Sequence, residues 1–179
     1  MKLRTLVEVS LLLAVGFILH SFFPPILFGM KPDFSLAMLF AVIILHRDWK
    51  IGLLAAAVTG IFTALTTGFP GGQIANPVDK MITGTVVITA VIFLGARIND
   101  KVLAGLTGFF ATLLSGVIFL SVAKFFLGFS GQLGSLIAAV VLPAALINTF
   151  TTPLLVFCIN VSKRALSPLV PSRPSSRVD

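Results

Sequence analysis

Six long apolar runs, broken by short polar connections, leave this chain few ways to fold. They cover about residues 3–23, 34–45, 51–67, 78–96, 102–127 and 134–161. A run of roughly 20 apolar residues matches the bilayer core as a helix, because helices satisfy their own backbone polar groups in hydrocarbon. The composition agrees: 57% of the 179 residues are apolar and 11% are charged, which excludes a soluble globular domain. The expected fold is an all-α integral membrane protein, a single bundle of six transmembrane helices over residues 1–166. The second run is short, and reaches full span only by recruiting Pro32 and by snorkelling of Arg47 and Lys50. The sixth is long and carries Pro143 and Pro153 inside it. Residues 167–179, rich in Pro, Ser and Arg, read as a disordered basic cytoplasmic tail.

The net charge of +7 reads as membrane topology rather than as a nucleic-acid surface. Lys2 and Arg4 precede the first run, Arg47 and Lys50 follow the second, Arg97 and Lys101 separate the fourth and fifth, and Lys163, Arg164, Arg173 and Arg177 follow the sixth. The opposite side holds Lys31, Lys80 and Lys124. This asymmetry predicts both termini in the cytoplasm of a multi-pass protein of the bacterial plasma membrane. The outward connections are then 24–33, 68–77 and 128–131. The apolar run after Arg4 is too long for a cleavable signal, and no small-x-small site follows it.

No catalytic constellation stands out, so an enzyme is not expected. His20 and His46 fall on opposite sides of the bilayer and cannot share a metal. Cys158 is the single cysteine, which rules out an internal disulfide or a cysteine metal cluster. A P-loop is absent, so the chain is not expected to hydrolyse ATP itself. No cofactor is expected.

The outward segment 65–80 is the one long polar stretch, rich in Gly, Pro and amides, and more elaborate than a plain connection requires. Close by stand two acid–base pairs, Lys31 with Asp33 and Asp79 with Lys80, and the amides of Gln73, Asn76 and, deeper, Asn148. Such a set suits a zwitterion: a cation for a carboxylate, an anion for an ammonium, amides for a ring donor. Lys124 adds a further cation, either snorkelled or facing an anionic group. Phe69, with Phe22, Phe23, Phe28 and Phe129, offers rings for an aromatic ligand.

Plainer accounts stand beside these. Asn76-Pro77-Val78-Asp79 reads as a helix start with Asn76 as its N-cap, and Asp33 reads as a cap in the same way. Lys80 can snorkel to the interface, and Asn148 can bond another helix. Small residues recur every fourth position at Gly52, Ala56, Gly60, Ala64 and Gly68, and again at Ala104, Gly108, Thr112 and Gly116. Both stripes read as faces for close helix packing. Ser10 and Ala14 form a shorter one on the first run, and Glu8 is expected to pair with Arg4 one turn before it.

The stretches Gly29 to Asp33, Leu65 to Lys80, Leu114 to Ala123 and Ala138 to Thr149 resemble the bacterial tryptophan transport protein family, within the energy-coupling-factor (ECF) group of vitamin-uptake transporters. The resemblance covers all six runs and leaves out the tail. It implies an S-component-like bundle: a substrate-capture subunit for tryptophan that works with a separate transmembrane coupling subunit and two cytoplasmic ATPases. In that group an Ala-x-x-x-Ala pattern on the first helix contacts the coupling subunit. Here Ser10 and Ala14 hold the matching positions. The residues themselves leave two other readings open, a solitary carrier for an aromatic solute and a non-transporting membrane assembly protein.

Overall fold

The computed structural model describes residues 2–24, 33–128 and 131–166. The described residues form helices and connections, with no strand among them. Five helices are long and apolar enough to cross a membrane: α1 (Leu3–Phe22), α3 (Trp49–Thr66), α4 (Gly72–Leu94), α5 (Asp100–Phe126) and α6 (Leu133–Leu166). The sixth, α2 (Phe34–His46), has 13 residues. At 1.5 Å per residue it is only about 20 Å long.

That shortfall has a structural answer. Every residue of α2 from 35 to 44 is buried, because α1, α3, α4, α5 and α6 all pack around it. A helix sheathed in protein need not match the thickness of lipid. It has no polar face because it has no solvent face. Asp33 caps its start by accepting the Leu36 N–H at 2.9 Å. Its last turn closes on Arg47, whose φ of 48° lets its N–H reach the Ile43 carbonyl.

The small-residue faces pack inside the chain. A Cβ on Gly60 would stand 2.9 Å from the Pro77 Cα, and one on Gly84 would stand 2.5 Å from the Ala56 Cβ. The α3–α4 interface, the most extensive in the bundle, depends on these approaches. In α5, a Cβ on Gly108 would fall 2.2 Å from the Asn148 carbonyl oxygen of α6. On α1 it is Gly16, rather than Ser10 or Ala14, that meets α2, and its carbonyl accepts from the Ser35 hydroxyl at 3.2 Å.

Two local expectations need correction. The fourth helix does not begin at Asn76-Pro77. It begins at Gly72, with Gly71 as the cap at φ 79°, and Pro77 lies inside it. Gly71 adopts the left-handed turn without a Cβ penalty, so the chain enters the helix earlier than the Asn-Pro signal suggests. Second, Glu8 pairs with Lys163 of α6 at 2.5 Å and lies 3.5 Å from His46, not with Arg4. The cross-bundle partners win over the neighbour one turn away because α1, α2 and α6 end side by side. α6 also widens into a π turn at Ile137–Val141, just before Pro143. The wider turn holds Ala139, whose carbonyl Pro143 cannot bond. A second π turn at Thr107–Ala111 interrupts α5.

The ion pairs fix which helix ends share a side. Glu8, His46, Arg47, Asp100 and Lys163 cluster at one end of the bundle, where Arg47 pairs with Asp100 and also donates to the Gly95 carbonyl at 2.8 Å. The segment 167–179 lies outside the described residues.

Candidate functional site

At the opposite end, a cavity of about 680 Å³, counting its open mouth, sits among α1, α2, α3, α4, α5 and α6. The elements around it explain its shape. The end of α3 and the turn at Thr67–Phe69 form one wall, and the first turns of α4 form the next. The stretch of α5 after its π turn and the stretch of α6 around the other π turn complete it.

A charged cluster lies in the wall. Lys80 Nζ is 2.6 Å from Asp79 Oδ2 and 2.7 Å from Asp33 Oδ2, and donates to Ser115 Oγ at 3.4 Å. The Asp79 carboxylate also accepts from Ser115 at 2.8 Å and from Thr83 at 2.9 Å. His20 Nδ1 lies 3.6 Å from Asp33 Oδ1. Lys80 and Asp79 are both buried. Burying charge in a membrane bundle is costly unless it is paired and bonded, and here each buried charge has partners on another helix. The cluster therefore joins α2, α4 and α5.

Beside it the wall is apolar and aromatic. Phe69 and Phe119 meet edge to face with ring centroids 5.3 Å apart. Gly116 keeps the α5 wall thin, since a Cβ there would fall 2.3 Å from Val141 Cγ1. Asn76 is buried and donates to the carbonyls of Thr63 at 3.2 Å and Gly72 at 2.9 Å, which ties the start of α4 to the end of α3. The cavity thus offers charge at one side and flat carbon surface at the other.

The structure brings Asp33, Phe69, Asn76, Asp79 and Lys80 together on this wall. Asn148 lies one layer behind, donating to Thr112 Oγ1 at 3.0 Å, while Thr112 itself faces the cavity. Gln73 is exposed, and Lys124 is half-buried further along α5; neither is on the wall. Lys31 lies outside the described residues, as do Phe28 and Phe129. The expected Lys31–Asp33 pair is thus not described, and Asp33 pairs with Lys80 instead. Sequence reasoning missed His20, Thr63, Ser115 and Phe119 as cavity residues. Thr112, Ser115 and Phe119 recur at three and four residues on one helix face, and that spacing is the signal that could have found them.

A helical bundle in the membrane with a cavity charged on one side and aromatic on the other has the build of a membrane protein that handles a small amphiphilic solute. Comparison with known proteins specifies the kind. Residues 2–164 match the tryptophan transporter TrpP family, and the chain belongs to that family. A probable tryptophan transport protein of Clostridium acetobutylicum is 40% identical over 166 residues, which cover 93% of this chain and 97% of the relative. One from Bacillus subtilis is 43% identical over 152 residues, 84% of this chain and 87% of the relative. Another, from Clostridium perfringens, is 38% identical over 149 residues, 78% and 82%. No solved structure matches the chain significantly. The chain is thus a multi-pass protein of the bacterial cell membrane, in a family of transporters rather than enzymes.

Proposed function

We propose that this protein takes up tryptophan and that the cavity walled by Asp33, Phe69, Lys80 and Phe119 is where it binds. The observation that carries this reading is the pairing, on the wall of one cavity, of a buried ion cluster with an edge-to-face Phe pair. Indole would lie against Phe69 and Phe119, and the zwitterionic end would turn to the charged side. Family membership and relatives named as probable tryptophan transport proteins support the ligand.

The charge asymmetry of the bundle ends supports an outward-facing mouth. Lys2, Arg4, Arg47, Lys50, Arg97, Lys101, Lys163 and Arg164 all belong to the end away from the cavity. The same end would then face the cytoplasm and carry both termini. Impermeant labelling of Gln73→Cys in a Cys158→Ser background tests this: outside labelling is expected, and labelling only from the cytosol would reverse the orientation.

The finer role is that of an ECF substrate-capture subunit, served by a transmembrane coupling subunit and two ATPases. Ser10 is exposed and Ala14 half-buried on α1, and much of that helix's surface is uncovered apolar side chain, which leaves room for a partner. Uptake of labelled tryptophan decides it. In a host that lacks coupling subunits and their ATPases, the protein alone should give no uptake above background, and adding the partner genes should restore it. Full uptake by the protein alone, abolished when the proton gradient is collapsed, would instead make it a solitary carrier.

A further inference from the structure

The charged cluster is not symmetric in what it leaves for a ligand. An ammonium has three protons to give, and those of Lys80 go to Asp79, Asp33 and Ser115. Asp79 is fully buried and takes three donors, from Lys80, Ser115 and Thr83. Asp33 is different. It stands at the start of α2, on the cavity wall, with its side chain 19% exposed against 0% for Asp79. Two carboxylates face one ammonium here, and His20 lies 3.6 Å from Asp33. Where acidic groups outnumber basic ones, the accessible carboxylate is where a ligand's cation can settle.

We infer that Asp33 takes the ligand's ammonium while Asp79 serves as the fixed counter-ion of Lys80, so that the site selects for a primary amine on the indole side chain more strongly than for a carboxylate. The inference rests on the cavity being the tryptophan site and assigns the roles within it. Lys80, with its protons already engaged, holds Asp33 in place rather than gripping the ligand's carboxylate. Tryptamine keeps the group that matters and indole-3-propionate lacks it.

Asp33→Asn provides the discriminating variant, because Asn caps a helix about as well as Asp and leaves the Lys80–Asp79 pair neutral. Calorimetric titration of the purified full chain with tryptophan, tryptamine and indole-3-propionate gives the test. For the unmodified protein, tryptamine should bind within about tenfold of tryptophan, and indole-3-propionate at least roughly a hundredfold more weakly. In Asp33→Asn, tryptophan and tryptamine should both weaken by roughly 30-fold or more, with the melting temperature little changed. Loss of tryptamine binding in the unmodified protein beyond about a hundredfold overturns the assignment, as does Asp33→Asn that binds tryptophan like the unmodified protein. Failure of the unmodified protein to bind tryptophan at all would strike the underlying reading itself, and the two failures are thereby told apart.

Discussion

Asp33, at the head of the shortest helix, forms an ion pair with Lys80 of α4 at 2.7 Å, so the residue that starts α2 also holds the cavity's cation in place. Three elements meet in this contact: the cap of the central helix, the wall of the cavity and the pairing that lets a lysine lie buried in a membrane bundle.

Removal of the cation is the first consequence to measure. Lys80→Met strands two carboxylates, one of them fully buried, and breaking a buried pair in this way costs about 3–5 kcal/mol. The thermal midpoint in detergent should fall clearly. Adding Asp79→Asn should recover part of the loss, since it removes the most deeply buried unpaired charge. A Lys80→Met variant as stable as the unmodified protein would show that the cluster is not formed as described.

Asn148 separates structural from binding roles. Read from sequence it is a candidate ligand contact, but it bonds Thr112 across the α5–α6 interface from behind the wall. Interhelical bonds of this type contribute about 0.6 kcal/mol on average and up to about 1.7. Asn148→Ala should therefore lower the thermal midpoint modestly, while the tryptophan Kd should stay within about threefold. A large loss of affinity at unchanged stability would move Asn148 to the ligand.

The glycine contacts make a paired prediction. Gly108→Ala places a methyl 2.2 Å from the Asn148 carbonyl oxygen, and overpacking of this kind costs about 1–3 kcal/mol. Gly134→Ala meets nothing within 4 Å, so it should be neutral or stabilising by up to about 1 kcal/mol, as expected for Gly to Ala in a helix. Thermal denaturation of the two variants side by side checks this, and equal effects would deny the close crossing of α5 and α6.

Much of this architecture is legible in the sequence, for definite reasons. Apolar runs of bilayer length can form little other than helices, and small residues every fourth position mark where helices touch, as Gly60 and Gly108 do. Asp79 and Lys80 are conspicuous because adjacent opposite charges are rare in such runs. Their third partner is not legible, since Asp33 meets Lys80 only through the packing of α2 against α4. Glu8 shows the same limit: spacing along the helix selects Arg4, whereas the bundle delivers Lys163. The Asn76-Pro77 signal misleads because Gly71 offers an earlier start and the Asn76 side chain is drawn to the Thr63 and Gly72 carbonyls. The π turn at Thr107–Ala111 has no comparable local mark, whereas the one at Ile137–Val141 stands just before Pro143.

The most direct test of the account is a structure determined with tryptophan bound. It should show indole against Phe69 and Phe119 and the ligand's nitrogen within hydrogen-bond distance of Asp33, with Lys80 still joined to Asp79. Tryptophan bound anywhere else on the protein, with this cavity unfilled, would contradict it.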